Sequence, residues 1–136
     1  MPKEAKTIKV DKTEVKKYRM IAKGFYDAAV SERDLKRWNA AGLLIVHSAI
    51  AYADVLTIKY GGVKSRSENH QDVVKLLENV IKESESKSNA LNQLERLIAH
   101  KSTVAYSGEL YDQQDIEKLL KHLERFKTWA EKLITD

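Results

Sequence analysis

The chain has 136 residues, 43% hydrophobic and 32% charged, with a formal net charge of +4, which describes one globular domain and excludes disorder or two ordinary domains. It contains no Cys, so disulfides and thiolate metal sites are excluded outright. One Pro and five Gly are too little backbone punctuation for a strand-rich fold and argue for long helices.

Residues 1–11 carry no helical stripe and read as a flexible N-terminal arm, with one domain over 12–136. A first helix is expected from Thr13, its apolar stripe running through Tyr18, Ile21, Ala22, Phe25, Ala28 and Ala29. Ser31 to Asp34 read as the first break. A second helix follows from about Asp34 to Tyr60, apolar on nearly every side between Leu43 and Ile58, with Gly61-Gly62 as its stop. A helix oily around its whole girth is either central in its bundle or covered by a partner chain, and the second option points to a homodimer. The run from Ala40 to Ile50, interrupted by His47 and Ser48, is too short to cross a bilayer. No apolar segment follows the N-terminal Met-Pro-Lys-Glu-Ala-Lys, so the reading is a cytoplasmic protein with no membrane partner.

Val63 to Arg66 read as a loop and Ser67 to Ser84 as a third helix with Val73, Val74, Leu76, Leu77, Val80 and Ile81 inward. The polar stretch from Glu83 to Asn89 reads as a connection. A fourth helix runs from Asn89 to Tyr106, closed by Ser107-Gly108, and a fifth starts near Asp112. No strand is expected. The short connections favour antiparallel neighbours, hence an all-α, up-and-down four- or five-helix bundle.

Residues 1–37 hold 11 Lys/Arg against 6 Asp/Glu, whereas residues 38–136 hold 13 against 14. A basic edge can seek phosphate, but an excess this small is ordinary for solubility. A carboxylate-bridged metal site needs Glu-x-x-His pairs on two helices, and the sequence has none. No metal or other cofactor is therefore expected. Gly61-Gly62-Val63-Lys64-Ser65 lacks the spacing and the preceding strand of a phosphate loop.

His47 and Asp54 lie two turns apart on the apolar second helix and project in similar directions, as a polar pocket or a satisfied structural network. Arg96 and His100, four apart, pair a guanidinium with a titratable imidazole, or form an exposed polar edge. Lys101 falls in register with Leu94, Leu97, Ile98 and Val104, where a lysine snorkels or meets an anion or a carboxylate such as Asp54.

Taken together, Trp38 to Ile50, then Gly61-Gly62, then Glu68-Asn69-His70-Gln71-Asp72, then Leu97 to Tyr106 form a pattern that resembles the HEPN domains (higher eukaryotes and prokaryotes nucleotide-binding), over about Tyr18 to Leu133. The resemblance implies an all-α bundle, usually a homodimer. It also implies a metal-independent ribonuclease motif of Arg, four to six residues, then His, or, in a toxin–antitoxin pair, a small nucleotidyltransferase as partner. Here Arg96 and His100 are separated by three residues, and the segment of the right length, Lys101 to Tyr106, has Lys for Arg and Tyr for His. The resemblance thus implies a diverged member that binds a phosphate-bearing ligand, RNA or a partner protein. Lys101, Tyr106, His47, Asp54 and His70 are the candidate ligand-binding residues. The alternatives are an endoribonuclease using Arg96 and His100, and a purely structural interaction module.

Overall fold

A computed structural model describes residues 6–66 and 69–136. In chain order the elements are β1 (Thr7–Lys9), α1 (Val15–Asp34), α2 (Trp38–Gly61), β2 (Val63–Ser65), α3 (Gln71–Val80), α4 (Glu85–Ala99), α5 (Lys101–Tyr106) and α6 (Gln113–Thr135), with a 3-10 turn over Lys12–Glu14. The protein is a helical bundle, as expected. α2 runs through its middle, packed against α1 and α6 most extensively and against α3, α5 and α4 on its remaining sides. Thirteen of its residues are buried, among them Ile45, Val46, Tyr52, Val55, Leu56 and Ile58. The oily girth is therefore covered by the chain's own helices. By length and composition alone α2 would suffice to cross a membrane, but it is the mostly buried core helix.

Ser48 and Thr57 of α2 lie inside this core and both are hydrogen-bonded. Ser48 donates to the Ala22 carbonyl at 2.9 Å, and Thr57 donates to the Asp54 carbonyl at 3.1 Å. Glu131 ties three helices together. It accepts from Arg19 Nε on α1 at 3.0 Å and from the Tyr52 hydroxyl on α2 at 3.0 Å. Burial alone would raise the Glu131 carboxyl, but the bonds from Arg19 and Tyr52 outweigh it and hold the group below its ordinary value.

Several sequence expectations are corrected. β1 and β2 form a small antiparallel ribbon, Thr7 opposite Ser65 and Lys9 opposite Val63, where no strand was expected and Val63 to Arg66 was read as a loop. With three residues each, these strands are too short to show a period of two. The break at Ser31 to Asp34 lies instead at 35–37. α1 continues to Asp34 and closes in a Schellman turn, Arg37 N–H to Glu32 C=O and Lys36 N–H to Arg33 C=O, both 2.9 Å. Lys36 occupies the left-handed position, φ 60°, where glycine is usual and so would have marked the stop. At the end of α2, Gly62 takes that conformation as the sequence suggests, φ 66°.

The polar stretch from Glu83 to Asn89 is not a connection but largely the first turn of α4. Ser84 caps it, accepting from the Lys87 N–H at 3.1 Å. Lys87 itself is 2% exposed. Its ammonium donates to the carbonyls of Glu78 (2.7 Å) and Ile81 (3.0 Å), and so caps the end of α3. Lys59 does the same from α2 for the end of α6, donating to Leu133 and Ile134 at 2.6 and 2.8 Å. The expected third helix ends early, at Val80, because Ile81 turns extended to enter the core. Ser67 and Glu68, expected at its start, lie outside the described residues. The expected fourth helix divides at His100 into α4 and α5. The fifth expected helix starts where predicted, with Asp112 and Asp115 forming a capping box for α6.

An L-residue in the left-handed region costs on the order of 1 kcal/mol. Lys36→Gly should raise the unfolding free energy by about 0.5–1 kcal/mol in urea melts, and an unchanged midpoint would contradict the assignment of this turn.

Candidate functional site

The sequence-derived residues separate into two groups in space. The first lies where α2, the turn before α3 and the start of α5 meet. His47 and Asp54 come from the same side of α2, one seven residues after the other. His70 occupies the N-cap position of α3, in a turn where Asn69 Oδ1 accepts from the Gln71 N–H at 3.1 Å. Lys101 opens α5 immediately after the bend at His100.

His47 packs on Phe25 of α1 with ring centroids 5.9 Å apart. Burial lowers its pKa, and the charge of Lys101 lowers it further. His70 is likewise lowered by burial, then by Lys101 and by His47. Three groups able to carry positive charge thus converge from three separate elements, and burial first, with Lys101 adding to it, disfavours the charged form of the two imidazoles. Among the described residues Lys101 makes no hydrogen bond or ion pair. The expectation that Asp54 would act as its counter-charge is not met.

Asp54 faces a neighbouring pocket of about 230 Å³, lined also by Lys64, Ser65, Arg66 and His70. Among the described residues nothing hydrogen-bonds its carboxyl group. Burial pushes it up to about 7, and the nearby Lys64 only partly opposes this. His70 lines this pocket and also senses Lys101, so it connects the two halves of the site. Lys64 and Arg66 were missed from the sequence because that segment reads as a bare loop. The ribbon with β1 is what holds it against α2.

The second group lies in a cleft of about 300 Å³ between α4 and α6. Arg96 and His100 line it together with Lys118 and His122. His100 Nδ1 is 2.7 Å from the Tyr111 hydroxyl, and His122 Nδ1 is hydrogen-bonded to Gln93 Oε1. Burial lowers His122, and Arg96, Arg125 and His100 add to the shift. His122 had no partner legible in the sequence, since Gln93 is 29 residues away. Tyr106 joins neither group. It is 86% exposed, and five residues of helix turn it about 140° from Lys101. Its neighbourhood is fixed by Asn39 on α2, whose amide donates to the carbonyls of Val104 and Glu109, both at 2.9 Å, and accepts from the Tyr111 N–H at 2.9 Å. Among the described residues no group of three His, Asp or Glu is arranged to hold a metal ion.

The HEPN domain family matches residues 15–133, from the start of α1 almost to the end of α6. The chain belongs to the HEPN domain family. No curated protein and no solved structure matches it. In this HEPN domain the segment Lys101 to Tyr106, which has the family motif's length, forms α5, with Lys101 half-buried at one end and Tyr106 in solvent at the other.

The raised Asp54 carboxyl fixes a pH dependence. The folded chain holds this proton up to about pH 7, whereas the unfolded chain releases it near the ordinary aspartate value of 3.8. Stability therefore falls as pH rises through that window and levels off above it. Asp54→Asn should leave stability nearly unchanged at pH 4 and raise it at pH 8, by roughly 4 kcal/mol. Denaturant titrations at the two pH values check this; equal effects at both would show that Asp54 ionises normally.

Proposed function

We propose that this HEPN domain binds a phosphate-bearing ligand, a nucleotide or an RNA phosphate, at the face formed by His47, His70 and Lys101. The observation that carries this reading is the half-buried Lys101 ammonium, which has no carboxylate partner among the described residues and adds to the lowering that burial imposes on His47 and His70. An uncompensated cation in such a place is costly unless an anion meets it. A phosphate would supply that charge, and its oxygens would accept from Lys101 and from either imidazole once protonated. Lys presents a point charge rather than the planar fork of Arg, which suits holding a phosphate better than clamping one oriented oxygen pair.

The reading has a definite pH signature. Both imidazoles are neutral in the free protein at pH 7, because their pKa values are lowered. An anion bound between them favours their protonated forms, so binding takes up protons and strengthens as pH falls. Isothermal titration with inorganic pyrophosphate and with AMP, ADP and ATP is the test. Affinity should rise between pH 8 and pH 6, and Lys101→Ala should weaken it at least tenfold. No binding of any of these at pH 6, or binding indifferent to Lys101, would remove the proposal.

A further inference from the structure

A hollow of about 560 Å³ lies where the end of α3 and the start of α4 meet the ends of α2 and α6. Tyr60, Val80, Ile81, Trp129 and Leu133 give it apolar walls. The polar groups around it are engaged with one another. The Tyr60 hydroxyl donates to the Leu133 carbonyl at 2.8 Å, the Ile81 carbonyl accepts from Lys87 at 3.0 Å, and the Ser84 and Ser86 hydroxyls lie 3.2 Å apart. Glu83, the one acidic residue lining it, pairs with Lys87 at 3.2 Å. Apart from the exposed Lys82, what is left to a ligand is hydrocarbon and aromatic surface.

Trp129 and Ser86 also line a second hollow, of about 550 Å³, between α4 and α6. Its chemistry is the opposite. Arg96, Arg125 and Lys132 line it, and none of them makes a hydrogen bond or ion pair with a described residue; no carboxylate lines it. Arg125, Trp129 and Lys132 follow at steps of four and three, so a cation flanks the indole on either side along one face of α6. Phe126 packs on Trp129 at 5.7 Å between ring centroids and holds the ring that both hollows share. An apolar hollow whose polar groups are satisfied thus adjoins one whose charged donors are free.

We propose that the two hollows together bind an amphipathic carboxylate, its head group on Arg125 and Lys132 and its hydrocarbon chain past Trp129, against Tyr60, Val80 and Leu133. A bare anion would meet the cations and leave the apolar walls in water. An uncharged hydrocarbon would cover the walls and leave the cations unmatched. The planar guanidinium of Arg125 suits a carboxylate, whose two oxygens it can engage together. Each hollow falls within the roughly 300–1,000 Å³ usual for small-molecule sites, which in bundles lie between helices. The site uses none of His47, His70 and Lys101, so it stands apart from the phosphate site proposed above.

The chain has two tryptophans, Trp38 and Trp129, and their indole N–H signals in NMR spectra of the isotope-labelled full chain provide the test. Sodium octanoate, kept below its critical micelle concentration, should shift the Trp129 signal saturably and leave that of Trp38, at the start of α2, in place. Hexanoate should bind about tenfold more weakly, because two fewer methylenes are buried. Octan-1-ol, which has the chain without the charge, should bind at least tenfold more weakly than octanoate. The Arg125→Gln/Lys132→Gln variant should lose this preference for the acid while octan-1-ol binding stays within twofold, with circular dichroism confirming that it is folded. Lys101→Ala should leave octanoate binding within twofold. No saturable shift of Trp129, an equal shift of Trp38, affinity indifferent to chain length or to the carboxylate, or an equal response of Trp129 to AMP would overturn the proposal.

Discussion

Everything in this fold follows from the need to cover α2. Burying its apolar residues at about 25 cal/mol per Å² is the largest favourable contribution the chain has. Only neighbours on every side can accomplish it, because α2 has no polar face to leave in water. α1 and α6 flank it along its length, and α3, α4 and α5 fill the rest. Gly42 shows how closely they approach: a Cβ there would stand 2.7 Å from Val104 Cγ2 and 3.3 Å from Ile116 Cδ1. The helices are then locked by a few long-range polar links, Glu131 between α1, α2 and α6, Asn39 between α2 and the α5–α6 connection, and the lysines that cap α3 and α6. Placing polar groups on α2 at all is costly, which is why Ser48 and Thr57 are satisfied at once. His47 and Asp54 break that rule. Among the described residues nothing hydrogen-bonds Asp54, at a position where a neutral side chain would be more stable, a pattern that sites kept for binding commonly show.

The large elements were legible because each shows a 3.6-residue stripe or, for α2, apolar residues all round. The break before α2, expected at 31–34 and found at 35–37, was misplaced because Lys36 adopts the conformation usually marked by glycine. Ser84 capping a polar first turn hid the start of α4 in the same way: the stretch Glu83 to Asn89 is hydrophilic because it is a solvated helix face, not because it is a loop. The β ribbon left no trace, since pairing between residues 54 or more positions apart has no local signature. Lys87 and Lys59 reach carbonyls of other helices, and nothing in a one-dimensional pattern distinguishes such a lysine from a solvated one.

The site was legible in part. His47, Asp54, His70 and Lys101 do gather around one region, although no spacing rule links residues on three elements; the family pattern supplied that link. Arg96 and His100 share a cleft, but it is a different one, and its second histidine, His122, comes from α6, where the sequence reading looked only for a core stripe. α2 organises the candidate site as well, because its burial fixes where the turn before α3 and the start of α5 present His70 and Lys101.

A helix oily around its whole girth is either central in its bundle or covered by a second copy of the chain, and the chain's own helices surround α2. Amide hydrogen exchange of residues 41–58, measured over a hundredfold range of protein concentration, distinguishes these directly. The account predicts that these amides exchange only through global unfolding and that their protection does not change with dilution. Protection that collapses on dilution, or that is weaker in α2 than in α1 and α6, would contradict it.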